Sequence, residues 1–206
     1  MPLILAVPVY RMTALAFSPA AEQIVFVDET GTPTGETGDK LASHHANTKL
    51  HLAFSCYVFN DAGDFLVTQR ALSKKVWPGV WTNSVCGHPS PGESMEAAIA
   101  RRLEYELGMT AKDVQVVLPN YRYKTPPYKG IIENEFCPVF VARASSEPQP
   151  NPDEVEAYKW TSWPDFVAAA SADRGDNYSW WAKDQLKQLA NHPLIEKYAR
   201  PKVEEL

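Results

Sequence analysis

The sequence predicts one α/β domain of the α+β kind, a mixed β-sheet flanked by helices. Three observations point there. The 206 residues are 45% hydrophobic and 22% charged, an ordinary globular mixture that excludes wholesale disorder, collagen and coiled coil. Strand-length runs of period two are interleaved with stretches of helical period. The resulting order is β, ββ, α, β, β, α, with no internal repeat, so a single domain is expected over residues 21–206.

The elements follow in turn. Residues 1–20 are expected to be a mobile extension. The apolar stretch from Pro2 to Phe17 is broken by Pro8 and Arg11, too short for a membrane span and without the basic start of a secretory peptide. Ile24–Val27 is a short apolar run closed by Thr30-Gly31, a strand and its turn. From His51 the pattern alternates, with Leu52, Phe54, Cys56 and Val58 on one face and His51, Ala53, Ser55 and Tyr57 on the other. Residues 60–64 then turn into a second strand over Phe65 to Arg70, making a hairpin. Met95, Ala98, Ile99, Leu103 and Leu107 recur at helical spacing over 94–107, and Gly108 supplies the stop. A strand is expected from about 131 to 142, a loop over 145–153, a strand over 158–160 and a helix over about 180–191.

Charge and thiols narrow the chemistry. Twenty basic against 25 acidic residues leave a net charge of −5, so no global field attracts nucleic acid or anionic lipid, and any polyanion must be held locally. Cys56, Cys86 and Cys137 cannot form a closed disulfide set and none lies in a CxxC, which suits a reducing compartment, the cytoplasm. No nucleic-acid or membrane partner is expected.

The 94–107 helix carries an anomaly. At about 100° per residue, Arg102 and Glu106 fall inside its apolar stripe. They are either an i, i+4 pair satisfying each other or a site facing an anion and a metal, because buried charge is costly unless paired or coordinated. The segment before the helix sharpens the second reading. Gly87, Glu93, Arg101, Leu103, Glu106 and Gly108 resemble the signature of the Nudix hydrolases, whose glutamates gather divalent cations around a diphosphate. Arg102 and Tyr105 stand where two of those glutamates are expected, so the scaffold resembles that family while the hydrolytic metal cluster is incomplete.

A second constellation is nitrogen-rich. His44, His51 and His88, with Glu133 and Glu135 on one face of a strand, offer three imidazoles and two carboxylates, a donor set for an octahedral divalent ion. His45 is a rival for the His44 place, and a solvated strand edge would tolerate Glu-x-Glu without any metal.

The stretches His51–Phe54, Gln69–Lys75, Trp77-Pro-Gly-Val-Trp-Thr-Asn-Ser-Val-Cys-Gly-His-Pro89, Arg101–Gly108 and Glu133-Asn-Glu135 resemble the type I isopentenyl diphosphate isomerases over residues 24–160. The resemblance implies a Nudix-like fold and a metal-dependent isomerase that moves a carbon–carbon double bond in a five-carbon diphosphate. It implies Cys86 and Glu135 as acid and base on opposite faces, Tyr123 assisting Glu135, and Trp181 rather than Trp180 over a carbocation. It implies Lys40, Arg70, Lys74 and Arg102 on the diphosphate, with Glu106 on a magnesium ion bridging it. His44, His51, His88, Glu133 and Glu135 would hold the first metal, manganese, magnesium or zinc. His44 is preferred to His45 because it keeps the family's seven-residue step to His51. The implied partner is the isoprenyl diphosphate, the implied assembly a monomer with a homodimer as alternative. A diphosphate hydrolase and a non-catalytic binding module are the competing readings. The substitutions at 102 and 105 count against the first; the set of Cys86, Glu135 and Trp181 is surplus to the second.

Overall fold

In the computed structural model, which describes residues 22–202, the elements fold around two sheets. The extension expected over residues 1–20 lies outside the described residues. Strand β1 (Gln23–Val27) turns through Asp28, whose carboxylate accepts from Thr30 and Thr32, into β2 (Pro33–Asp39), and Asp39 caps the short helix α1 (Lys40–Ser43). β3 (His51–Leu52) runs into β4 (Phe54–Phe59) and, through the turn, β5 (Phe65–Arg70). Two short strands, β6 (Trp81–Thr82) and β7 (Val85–Gly87), lead to helix α2 (Met95–Leu107). Then follow β8 (Ala111–Leu118), β9 (Arg122–Lys124), β10 (Asn134–Phe136), β11 (Val139–Ala144) and β12 (Val155–Thr161). Helices α3 (Trp163–Ala172), α4 (Trp180–Leu189) and α5 (Pro193–Tyr198) complete the chain.

The sheets are mixed, as expected, but they number two. One has the order β2-β1-β3-β10-β9; the other runs β12-β5-β4-β11-β8, with β6 on β5 and β7 on β4. The single strand expected over 131–142 is therefore corrected to two. Pro138 has no N–H for a ladder, and the chain changes sheets there: Glu135 pairs with His51, whereas Val139 pairs with Ser55.

Strand β4 is buried on both faces, so its alternation separates two cores rather than core from water. Phe54, Cys56 and Val58 pack with Ile99, Leu103 and Leu107 of α2. Ala53, Tyr57 and Phe59 join Trp163, Phe166, Trp181 and Leu186 on the helical side opposite. Helix α2 matches expectation closely: the Ser94 side chain caps its start and Gly108, at φ 54°, ends it in the left-handed region. Its close seat on β7 requires Gly87, because a Cβ there would lie 2.9 Å from Arg102 Cγ and 3.2 Å from the Phe54 ring.

Candidate active site

The register of the sheets assembles the site. In the first sheet Glu135 lies opposite His51 on one side and Tyr123 on the other, so all three side chains share a face. In the second, Cys86 lies opposite Ser55. His88 follows β7 directly, and His44 follows α1. A cavity of about 440 Å³ opens between the sheets, and Cys86, Glu135, Tyr123 and Trp181 all line it. The thiol and the carboxylate thus enter one cavity from different sheets.

The imidazoles converge. One ligand atom from each of His44, His51, His88 and Glu135 falls within 4.8 Å of all the others. Backbone carbonyls only accept, so His44 Nδ1 donates to Lys40 O at 2.5 Å and His51 Nδ1 donates to Lys49 O at 2.9 Å. Each ring therefore turns Nε2 inward. His51 Nε2 is 3.3 Å from His88 Nε2, and His88 Nε2 is 3.2 Å from Glu135 Oε1. Glu133 stands at the rim rather than within the four: its Oε2 lies 3.0 Å from His44 Nε2, buried but without a hydrogen bond of good geometry. Inward lone pairs beside an unsatisfied carboxylate oxygen fit a divalent cation, and the backbone bonds on Nδ1 are the outer support that such ligands need.

Electrostatics agree with that fit. Burial depresses His88 to about 4, and its bond to Glu135 recovers only part of the loss, so the ring is a neutral donor near pH 7. Burial would depress His44 as well, but Glu133, with the Lys40 carbonyl and Glu135, outweighs it and raises the group. Burial would push Glu135 up, yet its bonds to His51 and His88 hold the carboxyl well below the usual range. Manganese at about 100 times its dissociation constant is expected to add about 2.7 kcal/mol of stability. A thermal-melt titration checks this, and His51→Ala should abolish the shift; a variant that still responds would count against this ligand set.

The acid–base candidates differ in setting. Cys86 is half-buried and free. Burial pushes its thiol up to about 12, against its hydrogen bonds with Ser55 and Asn83, so the resting group carries its proton. Tyr123 stacks on Trp180 with ring centroids 5.8 Å apart, and burial together with the Glu135 charge raises its phenol. Among the described residues no hydrogen bond joins Tyr123 to Glu135. Of the two adjacent tryptophans, Trp181 lines the cavity while Trp180 packs against Tyr123.

The expected diphosphate cations also line the cavity, but three of the four are paired with carboxylates. Lys40 binds Glu22, and Lys74 binds Glu154. Arg102, only 3% exposed, reaches three carboxylates: Glu106 at 2.5 Å, Glu22 at 3.2 Å and Glu154 at 3.2 Å. The i, i+4 pair with Glu106 is therefore present, and both side chains line the cavity. Arg70 donates to the carbonyls of Trp77 and Val76, each at 3.1 Å, bracing a turn in which Trp77 adopts φ 44°. The outward pair from the signature is structural: Arg101 grips Glu93 through two 2.8 Å bonds and donates to His88 O at 3.0 Å, fixing the loop that carries His88. Sequence reasoning missed Glu22, Glu154, Asn83 and Ser55. A lone carboxylate before a strand or after a loop carries no local pattern that could have marked it.

Comparisons with known proteins agree with this architecture. A model of the NUDIX domain family matches residues 49–183. The isopentenyl-diphosphate Delta-isomerase of Saccharopolyspora erythraea is 49% identical over 168 residues, covering 82% of this chain and 86% of that protein. The isopentenyl-diphosphate Delta-isomerase of Klebsiella pneumoniae is 45% identical over 181 residues, covering 88% and 98%. Among solved structures, a Deinococcus radiodurans protein superposes with a TM-score of 0.63 at 18% identity, covering 81% of this chain and 98% of that one. The MutT NUDIX hydrolase of Burkholderia pseudomallei gives 0.52 at 22% identity, covering 68% and 98%; at such identities the likeness is one of fold. Among the described residues no helix is long and apolar enough to cross a membrane. With the fold and the relatives in agreement, the chain belongs to the NUDIX domain family and, within it, to the isopentenyl-diphosphate Delta-isomerases.

Proposed function

We propose that this chain interconverts isopentenyl and dimethylallyl diphosphate by protonation and deprotonation through a tertiary carbocation. The observation that carries the proposal is the thiol of Cys86 and the carboxylate of Glu135 entering one cavity from different sheets, with the Trp181 ring beside them. An isolated alkene has no neighbouring carbonyl to stabilise a carbanion, so the proton must be added first. Cys86 holds a proton at rest and gives it to the terminal CH₂, leaving the positive charge on the tertiary carbon. Glu135 then removes a proton from the carbon between that centre and the CH₂–O group, giving the isomer. The roles exchange in reverse. Tyr123, opposite Glu135 in the strand register, assists at that carboxylate. The face of Trp181 stabilises the cation by about 2 kcal/mol when water is excluded, and exclusion also keeps water from trapping it as an alcohol.

The diphosphate would lie against Lys40, Arg70, Lys74 and Arg102. Guanidinium forks suit phosphate oxygens, and Glu106 would take the magnesium that accompanies the tail. Glu22, Glu106 and Glu154 hold Lys40, Lys74 and Arg102 in place beforehand, and the carbonyls of Trp77 and Val76 hold Arg70. His44, His51, His88 and Glu135 would hold a second divalent ion, with Glu133 at its rim; manganese suits mixed nitrogen and oxygen donors better than magnesium does. A divalent ion bound there supplies fixed positive charge that organises Glu135. The reading includes a monomer working in the cytoplasm, where three free thiols persist.

One incubation tests the reaction: the full chain with isopentenyl diphosphate, manganese and magnesium, followed by product analysis. Dimethylallyl diphosphate is expected. Released phosphate would mean a hydrolase, unchanged substrate a binding module, and full activity with zinc alone would reassign the metal.

A further inference from the structure

Asn83 is buried and lines the cavity, between β6 and β7, the strand that carries the reactive thiol. Its two amide atoms can be told apart by chemistry. One lies 2.9 Å from Val85 O and 3.3 Å from Cys56 O; carbonyls only accept, so this atom is the NH₂ group. The other lies 3.1 Å from the Trp181 Nε1–H, which only donates, so this atom is the oxygen. The Cys86 sulfur sits 3.1 Å from that same oxygen, and an oxygen that only accepts requires the thiol to donate. The Thr82 hydroxyl, 3.0 Å away, is a third neighbour, and it has a second partner in Ser179 at 2.8 Å. Ser179 in turn caps the helix that carries Trp181.

On the other side of the sulfur, Gln185 Nε2 donates to Ser55 Oγ at 2.9 Å and Tyr57 donates to Gln185 Oε1 at 2.8 Å. Ser55 Oγ lies 3.4 Å from Cys86 Sγ. The thiol is thus held from two directions by groups whose own orientations are fixed by backbone or by buried side chains.

We propose that Asn83 is a positioning residue for the isomerisation: its single carboxamide oxygen, accepting from both, holds the Cys86 sulfur and the Trp181 indole at a fixed spacing. The inference rests on the roles given above to Cys86 and Trp181. The link is short. Proton delivery and shelter of the charge it creates must occur at adjacent carbons of one substrate, and one rigid oxygen fixes the spacing of both groups. Losing a well-placed orienting contact costs about 10²-fold in rate where geometry is decisive.

The test uses the full chain and the infrared S–H stretch, isolated for this thiol by subtracting the spectrum of Cys86→Ala. In Asn83→Ala the band is expected to move to the higher frequency of an unbonded thiol, while kcat falls by about 10²-fold and KM changes little. Should that variant not fold, Trp181→Phe decides. It keeps an aromatic ring but removes the indole donor, so Asn83 accepts more strongly from sulfur and the band is expected to move to lower frequency. An unmoved band overturns the inference in either variant, and so does a moved band with kcat unchanged in Asn83→Ala. Isomerase activity retained by Cys86→Ala would instead overturn the catalytic reading and leave the spectroscopic coupling standing.

Discussion

Replacing Cys86 by alanine is expected to reduce kcat by about 10⁴-fold, the upper end of what a positioned acid or base supplies, equivalent to about 5.4 kcal/mol of activation free energy. The fold should survive. Cys86 is half-buried, and its neighbours Ser55 and Asn83 keep other partners in Gln185, Trp181 and Val85, so no polar group is orphaned by the change. The melting temperature should therefore stay within a few degrees of wild type. Cys86→Ser separates shape from acidity: the hydroxyl fits the same space but releases its proton far less readily, and the loss should be nearly as deep. Retention of a tenth of the activity by either variant would remove the thiol from the reaction. The effect is large because Cys86 is the one cysteine among the described residues that lines the cavity. Cys137 is fully buried behind Ser55 and does not line the cavity, and burial together with the Glu135 charge keeps its own thiol from ionising.

How much of this could be read from the chain depends on whether the signal was local. Helix α2 was legible because its apolar period and terminal glycine lie within fifteen positions; its Ser94 cap comes from the structure. The three histidines and Glu135, whose ligand atoms the fold brings within 4.8 Å of one another, could be singled out because few residue types suit a divalent ion. Trp181 could be chosen over Trp180 only by resemblance; the structure adds that one ring faces the cavity and the other Tyr123. Strand β2 was not legible. Its two glycines and mostly exposed side chains carry no apolar alternation, and it exists through its pairing with β1. Helix α5 is only six residues long, and the charges of β8 at Lys112 and Asp113, the latter at φ 53°, mask its pattern. Partners that meet from distant segments, such as Glu22 and Glu154 around Arg102, leave no trace in sequence spacing because tertiary folding alone brings them together.

That three-carboxylate cage carries the largest expected effect on stability. Arg102→Met preserves the apolar stem and removes the cation, leaving Glu22, Glu106 and Glu154 facing one another with side chains 4%, 13% and 7% exposed. Removing one partner of a buried ion pair costs about 3–5 kcal/mol, and at roughly 2–4 °C per kcal/mol for a chain of this size the melting temperature should drop by at least about 6 °C. The pH dependence gives the effect a signature. Burial would raise the Glu22 carboxyl, but Lys40 and Arg102 outweigh it and hold it below its ordinary value. In wild type the group therefore contributes stability above the unfolded glutamate pKa of about 4.3, and that contribution is lost as pH falls through the lowered folded value. With Arg102 gone the balance shifts toward burial and like-charge repulsion. The folded pKa of Glu22 rises, so the variant's deficit is greatest at neutral pH and narrows on acidification as that carboxylate takes up its proton. Chemical-denaturation curves for both proteins between neutral and mildly acidic pH measure this directly. A deficit that stays constant over that range would mean that the missing cation is not what the three acids respond to. Arg102→Lys, which restores one charge without the fork that reaches three partners, should fall between the two.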